Sequence, residues 1–368
     1  MRIVERYPAS IRAWKGRGAW SLLFPLRALA AAAWRYRVTR PARGVAPPAG
    51  NTVRPRVISV GNLEVGGGGK TPFAALLAGR IDGAGGVPVV VTRGYGGRIE
   101  QSGGGPVAVL AGRTIDDEAA GGVRVASEPP DPGETGDEAC LFAARGIPVV
   151  IDPDRARGIA AAIALFDPTH VILDDAFQHR AAWRDLDILL LDHERPFGDG
   201  RIMPLGTLRE PPSAVSRAGA VVFTRAGDRT IPAAARRLVA GLPVAFARHR
   251  PLCLRDTAGR PRPLETLAAR RVLLFSGIAR PTGFEELAAP LCGEAATSVR
   301  FGDHHRYTAA DVRMLLEDAG EETTLVTTEK DWTKVRRLLP PAVDAFAIEI
   351  ELAVDGLDDL PLFAGESA

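Results

Sequence analysis

The chain has 368 residues, of which 46% are hydrophobic and 24% are charged, and its formal net charge is +2. That length is enough for about two domains of ordinary size with a large core, and the composition is that of a globular protein. The three cysteines, Cys140, Cys253 and Cys292, lie far apart and form no Cys-x-x-Cys pair. This spacing argues against a zinc site or a disulfide framework and fits a reducing compartment.

The N-terminal part is strongly basic. Residues 1–56 carry twelve Lys and Arg against Glu5 alone, a net +11, and since the whole chain is +2 the remainder carries −9. The apolar stretch 19–34 is short, is interrupted by Pro25 and Arg27, and is flanked by tryptophans and arginines, whereas a spanning helix needs about 20 apolar residues. We predict a peripheral helix at the cytoplasmic face of an anionic membrane. A cleaved signal peptide and a helix packed on the domain are the alternatives.

From residue 56 onward strand-like and helix-like segments alternate, which predicts a mostly parallel sheet covered on both faces. The first, doubly wound domain is expected to have strands at 56–60, 87–92, 147–151, 170–174, 187–191 and 220–224, and helices near 71–82, 136–145 and 155–165. The segment 100–135, rich in Gly, Asp, Glu and Pro, is expected to form a hairpin or loop beside the ligand-binding site of this domain.

A second series of elements predicts a smaller α/β domain that starts around residue 227. Its expected strands lie near 244–248, 271–276, 324–328 and 345–350, and its expected helices near 282–291, 308–318 and 331–338. The predicted division of the chain is therefore a membrane-associated helix in 1–50, a nucleotide-binding domain in 51–226 and a smaller domain in 227–368.

The segment 57–72 joins a β-branched run to a glycine cluster, a lysine and a threonine. Glycines 66–69 allow backbone N–H groups to turn toward an anion, and the helix that opens at Thr71 points its positive end at the same spot. Lys70 would then reach the β- and γ-phosphates of a nucleotide, and the Thr71 hydroxyl would hold Mg²⁺. The ATP-binding candidates are Glu64, Val65, Gly66, Gly67, Gly68, Gly69, Lys70 and Thr71.

This glycine cluster departs from the strict phosphate loop G-x-x-x-x-G-K-[ST], because Glu64 stands where the first glycine is required. A carboxylate beside phosphates would be repulsive, so we expect the Glu64 side chain to face outward. The alternative interpretation is a flexible glycine linker that happens to precede Lys70.

A second cluster follows the apolar run 171–173, where Asp174 and Asp175 end a predicted strand. In an open parallel sheet ligands gather outside the carboxyl ends of strands, so these carboxylates should emerge beside the glycine cluster. Carboxylate oxygens suit Mg²⁺, directly or through water. The alternative is a helix N-cap with a solvated neighbour.

Further candidates have open interpretations. Asp137 and Glu138 precede an apolar helical run, so Asp137 could either take part in the chemistry or simply cap that helix. The adjacent histidines His304 and His305 could be polar surface. Arg93, among turn residues after a strand, could meet an anionic substrate or lie in an ordinary loop, and Arg209 offers the same choice.

Together these motifs resemble the tetraacyldisaccharide 4'-kinases, which phosphorylate the lipid A precursor in Gram-negative bacteria. The resemblance also covers the basic N-terminal segment. The matching motifs are S-V-G-N-L-x-V-G-G-x-G-K-T-P at 59–72, T-R-G-Y-G-G at 92–97, G-D-E at 136–138, D-D-A-F-Q-H at 174–179, P-L-G-T-L-R-E-P at 204–211, F-S-G-I-A-R-P at 275–281, D-H-H at 303–305 and T-T-E-K-D at 327–331. Two positions depart from the family pattern, Gly68 in place of threonine and Ala176 in place of glycine.

The resemblance implies transfer of the γ-phosphoryl group of ATP to the 4'-hydroxyl of a tetraacylated glucosamine disaccharide 1-phosphate. It implies two α/β/α domains with the active site in the cleft, and peripheral attachment to the cytoplasmic face of the inner membrane. Asp137 would be the catalytic base, paired with His304. The remaining implied roles are metal binding by Thr71, Asp174, Asp175 and Glu138, and substrate binding by Arg93, Gln178, His179 and Arg209.

Two other classes of protein remain as alternative interpretations. A P-loop nucleotide-switch ATPase or GTPase would turn over nucleotide without an acceptor, but a guanine-reading N-K-x-D segment is absent from the sequence. A nucleic-acid-binding module is suggested by the basic N-terminal part, but its arginines are interleaved with a membrane-like apolar stretch and the rest of the chain is acidic. We expect ATP and Mg²⁺ as cofactors and the lipid substrate and an anionic membrane surface as partners, without nucleic acid or an obligate protein partner.

Overall fold

The computed structural model describes residues 3–5, 54–66, 68–112, 123–126, 129–268, 270–292, 297–303, 305–320, 323–340 and 343–362. Two compact units are present, a larger one comprising Ala19–Arg248 and Leu352–Ala368, and a smaller one comprising Met1–Gly18 and His249–Glu351. The predicted membrane-associated helix in 19–34 lies outside the described residues. No described helix is both long and apolar enough to cross a bilayer.

Strands are numbered along the chain from β1 (Ile3–Glu5), which belongs to the smaller unit. The strands of the larger unit are β2 (Arg56–Asn62), β3 (Pro88–Thr92), β4 (Val107–Val109), β5 (Arg124–Val125), β6 (Val149–Ile151), β7 (His170–Asp174), β8 (Leu186–Asp192), β9 (Ala220–Thr224) and the beginning of β10 (Val244–Arg255). Their order is β10-β9-β8-β2-β7-β3-β6-β4-β5, and every neighbouring pair is parallel except β4 with β6.

Helices cover both faces of this sheet. The helices of the larger unit are α1 (Lys70–Gly83), α2 (Arg98–Ser102), α3 (Pro132–Thr135), α4 (Asp137–Ala144) and α5 (Arg155–Phe166). Because side chains alternate along a strand, Ile58 packs in one apolar cluster with residues of α1 and α4. Val57 packs in another cluster with residues of α5. The doubly wound arrangement thus follows from strands that are apolar on both faces.

The segment 100–135 differs from the predicted hairpin or loop. Strand β4 pairs antiparallel with β6, and β5 pairs parallel with β4, so these two strands extend the edge of the sheet. Val107, Ala108 and Val109 are all buried there. The prediction missed these strands because a strand of two or three residues is too short to show the alternation of apolar and polar residues by which strands are recognised in a sequence.

The smaller unit contains a second parallel set of strands in the order β1-β13-β12-β14-β15. These are β1, β12 (Arg271–Ser276), β13 (Thr297–Arg300), β14 (Thr323–Thr328) and β15 (Ala345–Asp355), while β11 (Pro261–Arg262) pairs antiparallel with the end of β10. The helices are α6 (Pro281–Ala288), α7 (Ala309–Ala319) and α8 (Glu329–Val335). Short 3₁₀ turns lie at Leu264–Leu267 and Ala289–Leu291 in this unit, and at Pro212–Arg217 and Leu357–Asp359 in the larger one.

The predicted fold class, a mostly parallel α/β sheet, is confirmed, but some details differ. Strands β1 and β13 were not predicted, because each is short and β13 reads Thr-Ser-Val-Arg without an apolar run. Strands β10 and β15 are longer than predicted and cross from one unit into the other. The division at 50/51 and 226/227 stays a prediction about domains, while the compact units divide at Arg248/His249 and Glu351/Leu352.

Candidate active site

Three neighbouring parallel strands of the larger unit end at the same edge of the sheet. Val60 of β2 lies opposite Asp174 of β7, and Val91 of β3 lies opposite Leu173. The loops after β2, β3 and β7 therefore open on one edge, where open α/β sheets bind ligands. These loops carry the glycine cluster, Arg93 and the paired aspartates.

The glycine cluster forms the entry to helix α1, which begins at Lys70. Gly69 has the left-handed conformation (φ 76°), and Gly66 also has positive φ (111°), a conformation in which glycine is favoured. No side chain caps α1, and its first turn contains no acidic residue. Its first N–H groups and its dipole are thus directed at the space where the phosphate of a nucleotide is expected. Gly67 lies outside the described residues.

Gly68, the departure from the family pattern, lies against the side chain of Asn62. A Cβ atom added at Gly68 would come 2.6 Å from Asn62 Nδ2, so a larger residue would have to displace that amide. Asn62 Oδ1 in turn accepts a hydrogen bond from Lys70 Nζ at 3.2 Å. The loop and the last residue of β2 are therefore packed together as one structure.

Lys70 lies between the glycine cluster and the acidic turn, which is formed by residues 174–179. Its Nζ donates to Asn62 and to the carbonyl of Gly66 (3.4 Å), and lies 3.4 Å from Asp175 Oδ1. Only 11% of its side chain is exposed. The ammonium group is thus oriented by two oxygen acceptors and by its ion pair with Asp175.

Glu64 pairs with the neighbouring loop. Its Oε1 accepts a hydrogen bond from the Thr207 hydroxyl at 2.8 Å, and Val65 N donates to the Thr207 carbonyl at 2.9 Å. The contact is exposed, as expected for a carboxylate that faces outward. Glu64, which stands where the strict pattern requires glycine, therefore joins the phosphate loop, residues 64–71 with the glycine cluster, to residues 198–208.

Asp174 and Asp175 lie in different electrostatic surroundings. Asp174 is buried, its Oδ2 lies 3.4 Å from the donating Thr71 Oγ1, and burial together with Glu138 and Asp175 raises the pKa of its carboxyl to about 7. Asp175 accepts from Arg209 Nη1 at 2.8 and 2.9 Å. Although burial alone would raise its pKa, Lys70 and Arg209 lower it to about 2. Asp175, predicted as a metal ligand, is therefore engaged by two cations.

Asp174 and Glu138 fit the requirements of a Mg²⁺ site. Asp174 Oδ1 and Glu138 Oε2 are buried and accept no hydrogen bond from the described residues. Such orphaned acceptors are costly unless a cation or water meets them. The described residues contain no group of three or more His, Cys, Asp or Glu that could bind a metal alone. Mg²⁺ takes one or two carboxylates and completes its shell with water and phosphate oxygens, and the two orphaned carboxylate oxygens are the donors that fit it.

Asp137 begins helix α4 at a tight contact between two glycine segments. Gly136 (φ 86°) has no space for a Cβ, which would lie 2.7 Å from the backbone of Gly94, and a Cβ at Gly94 (φ 71°) would lie 2.8 Å from the carbonyl oxygen of Thr135. Asp137 is only 7% exposed, and Gly136 rather than an acid is the N-cap. The T-R-G-Y-G-G and G-D-E motifs are therefore one packed structure.

The predicted substrate residues are already engaged with protein groups. Arg209 contacts Asp175, and its Nη1 lies 3.4 Å from Gln178 Oε1. Gln178 Nε2 donates to the carbonyl of Asn62 at 2.9 Å. Arg93 pairs with Glu100 at 2.7 Å and remains 48% exposed. Burial and the positive charges of Arg155 and Arg93 lower the pKa of His179 to about 4, so this imidazole is neutral at pH 7.

Of the two adjacent histidines, His304 lies outside the described residues. His305, in the smaller unit, stacks on Phe301 with ring centroids 4.6 Å apart, and its Nε2 lies 3.2 Å from Asp311 Oδ2. It also meets the ring of Tyr307 edge-on. His305 is therefore committed to contacts within its own loop and helix α7.

Two residues near the site were not predicted. Asn62 joins Lys70 to Gln178, and a polar residue at the end of an apolar strand was the available signal. Arg155 is buried and donates to the carbonyls of Asp152 (2.7 Å) and Asp174 (3.2 Å), and burial lowers its pKa to about 10. The sequence Asp152-Pro-Asp-Arg155 after a predicted strand carried the same signal.

Comparisons with known proteins agree on one family. The family model described as Tetraacyldisaccharide-1-P 4'-kinase matches residues 19–360. A tetraacyldisaccharide 4'-kinase of Anaeromyxobacter dehalogenans (strain 2CP-C) is 39% identical over 303 residues, covering 79% of this chain and 74% of that protein. Another, from Anaeromyxobacter sp. (strain Fw109-5), is 36% identical over 377 residues, covering 98% and 95%.

A solved structure is similar along nearly the whole chain. It is the crystal structure of LpxK from Aquifex aeolicus in complex with ATP, which is 28% identical in sequence with a TM-score of 0.67. The alignment covers 92% of this chain and 96% of that one. The resemblance noted from the sequence motifs is thereby confirmed.

Proposed function

The chain belongs to the tetraacyldisaccharide 4'-kinase family and is a kinase of lipid A biosynthesis, and we propose that Lys70, Asp174 and Asp137 act together in one catalytic centre. The observation that carries this proposal is the pair of contacts that join the phosphate loop to the acidic turn. Lys70 lies 3.4 Å from Asp175, and Thr71 lies 3.4 Å from Asp174.

The phosphate loop binds the triphosphate of ATP. The uncapped N–H groups of α1 and the ammonium of Lys70 supply positive charge where the phosphates lie. Asp175 and Asn62 orient Lys70, and Arg209 shares the charge of Asp175. Phosphoryl transfer needs mainly alignment and charge neutralisation, so these groups contribute most of the rate.

Thr71, Asp174 and Glu138 are the residues that would hold Mg²⁺. Mg²⁺ held there would supply positive charge to neutralise the phosphate oxygens during transfer. Two orphaned carboxylate oxygens and the raised pKa of Asp174 support this assignment, because a nearby cation would favour the charged carboxylate. Asp175 serves instead to orient Lys70 and Arg209.

Asp137 accepts the proton of the attacking 4'-hydroxyl. It lies at the start of α4, beside Glu138, whose charge acts on Asp174. The closely packed glycines before it restrict its position. General-base assistance of this kind is worth about 10² to 10⁴ in rate. His304 is proposed, from the family motif D-H-H, to orient this base.

The acceptor is a lipid with four acyl chains, so the enzyme must work at a membrane surface. The basic N-terminal segment with its apolar stretch 19–34 supports peripheral attachment to the cytoplasmic face of the inner membrane. Serine substitutions at Leu22, Leu23 and Phe24 should move the protein from the membrane pellet to the supernatant. A variant that still pellets would contradict this attachment.

The activity is tested with purified protein, ATP, Mg²⁺ and tetraacyldisaccharide 1-phosphate in detergent. We expect a bis-phosphorylated lipid, identified by its mass, formed together with ADP. ADP release that does not depend on the lipid, without such a product, would instead support a nucleotide-switch ATPase. The Lys70→Ala variant is the matched negative control.

A further inference from the structure

Beside the acidic turn, a buried carboxylate belongs to the P-L-G-T-L-R-E-P motif but has no role in the proposed chemistry. Glu210 is 1% exposed and is bound by both terminal nitrogens of Arg217. Arg217 Nη1 donates to Oε2 at 2.8 Å and Nη2 donates to Oε1 at 2.9 Å. This two-pronged geometry fixes the plane of the guanidinium group, which a lysine could not do.

The oriented guanidinium group covers Phe177, the central residue of the acidic turn. Arg217 Cζ lies 4.5 Å from the centroid of the Phe177 ring, and Nη2 is 3.5 Å from the Phe177 carbonyl oxygen. The ring itself is fully buried. A cation above an aromatic face is attractive, and more so when it is removed from water.

On its other side, the acidic turn is pressed against the end of β2. A Cβ added at Gly61 would lie 2.6 Å from Phe177 Cβ and 2.8 Å from its backbone nitrogen, so the two backbones touch. Ala176 N donates to the carbonyl of Val60 at 3.2 Å. The turn that carries Asp174 and Asp175 is therefore held between Gly61 and Arg217.

Glu210 also follows directly after Arg209, which binds Asp175. Arg209 N donates to the carbonyl of Leu63 at 2.7 Å, so the backbone here is tied to the phosphate loop. Arg209 binds Asp175 of the acidic turn, while Glu210 binds Arg217, which covers Phe177 of the same turn. The same short segment thus contacts the turn from two directions.

We propose that Glu210 and Arg217 are positioning residues, which hold the turn 174–179 so that Asp174 stays opposite Thr71, with which it would hold Mg²⁺. This inference rests on the proposed function of the site. Simple packing does not need a charged pair, because apolar residues of similar volume can replace a buried ion pair without loss of stability. What the pair adds is a fixed orientation of the group above Phe177.

The test measures nucleotide binding as well as activity. Calorimetry gives the affinity of Arg217→Lys for the non-hydrolysable analogue AMP-PCP with Mg²⁺ and with EDTA, and kinetics gives kcat and the half-saturating Mg²⁺ concentration. We expect the gain in affinity due to Mg²⁺ to fall by about tenfold and the half-saturating Mg²⁺ concentration to rise by a similar factor. Affinity in EDTA should change little. Glu210→Gln should act in the same direction.

Arg262→Lys is the matched control, because Arg262 also binds a buried carboxylate through two nitrogens, that of Asp256. It should lower Tm without changing the Mg²⁺ response. The double variant Glu210→Leu/Arg217→Met leaves no buried charge and should fold; under the proposal it too loses the Mg²⁺ response.

The proposal is wrong if Arg217→Lys and the double variant change only Tm, as Arg262→Lys does. Failure of the proposed function is a separate result. In that case the wild-type protein would not phosphorylate the disaccharide, whatever the variants do to Mg²⁺-dependent binding of AMP-PCP.

Discussion

Asp174 and Asp175 are consecutive residues whose carboxyl groups have opposite electrostatic shifts. Burial, Glu138 and Asp175 raise the pKa of Asp174 to about 7, while Lys70 and Arg209 outweigh burial and lower the pKa of Asp175 to about 2. Asp175, the residue after the end of β7, has the left-handed backbone conformation, with a positive φ of 50°. Asp174 keeps a buried oxygen that accepts no hydrogen bond from the described residues, whereas Asp175 binds Lys70 and Arg209.

The first prediction concerns stability against pH without metal. Between about pH 4 and pH 7 folded Asp174 keeps a proton that the unfolded chain has lost, so this group makes the free energy of unfolding fall as pH rises. Asp174→Asn, which is always neutral, should lack this contribution. Urea unfolding in EDTA at about pH 5 and about pH 8 measures it. The stability of the variant relative to wild type should rise with pH, and parallel curves would contradict the assignment.

The second prediction concerns the contact between Gly94 and Gly136. Gly136→Ala should lower both Tm and kcat, because the added Cβ would meet the Gly94 backbone at 2.7 Å and displace the start of α4. Gly146→Ala is the matched control, since Gly146 also has positive φ (71°) but open space around its Cβ. It should show the backbone strain alone. Equal losses of kcat in the two variants would contradict a role for the contact in positioning Asp137.

The third prediction separates a catalytic base from a helix cap. Asp137→Ala should lower kcat by about 10² to 10⁴ and leave the dissociation constant of ATP nearly unchanged. Asp154→Ala is the control, because Asp154 caps α5 by accepting from Ala156 N and Arg157 N. Its loss should cost about 1 kcal/mol of stability and little activity. If Asp137→Ala behaves like the Asp154 variant, Asp137 is only a structural residue.

The fourth prediction distinguishes the two adjacent histidines. His305→Ala removes the stacking on Phe301 and the contact with Asp311, so it should lower Tm. His304→Ala, which removes the histidine proposed to orient the base Asp137, should lower kcat with Tm nearly unchanged. Thermal unfolding and steady-state kinetics on both variants decide the matter. The reverse pattern would assign the catalytic role to His305.

Much of the larger unit could be predicted from its sequence because its central strands are continuous apolar runs. Strands β7 and β9 have the predicted limits, and β2 and β8 differ from them by at most two residues. Short edge strands such as β4 have no period, so nothing in the local sequence distinguishes them from a loop.

The candidate site also has parts that the local sequence predicts and parts that it does not. Its phosphate loop and acidic turn follow from local patterns, namely glycines before Lys-Thr and acids after a strand. The contact of Arg209 with Asp175, across 34 residues, and that of Arg217 with Phe177, across 40, depend on tertiary packing and leave no local signal. The sequence therefore does not reveal that Arg209 binds Asp175 or that Glu210 and Arg217 lie beside the acidic turn, while substrate binding by Arg209 stays a prediction.

The central claim is that the phosphate loop and the acidic turn form one site for a metal-bound nucleotide. It is tested most directly by a crystal structure with AMP-PCP and Mn²⁺, in which anomalous scattering locates the metal ion. We expect the manganese peak between Thr71 and Asp174, with the triphosphate along the start of α1. A nucleotide bound elsewhere, or a metal ion away from Asp174 and Glu138, would contradict the account.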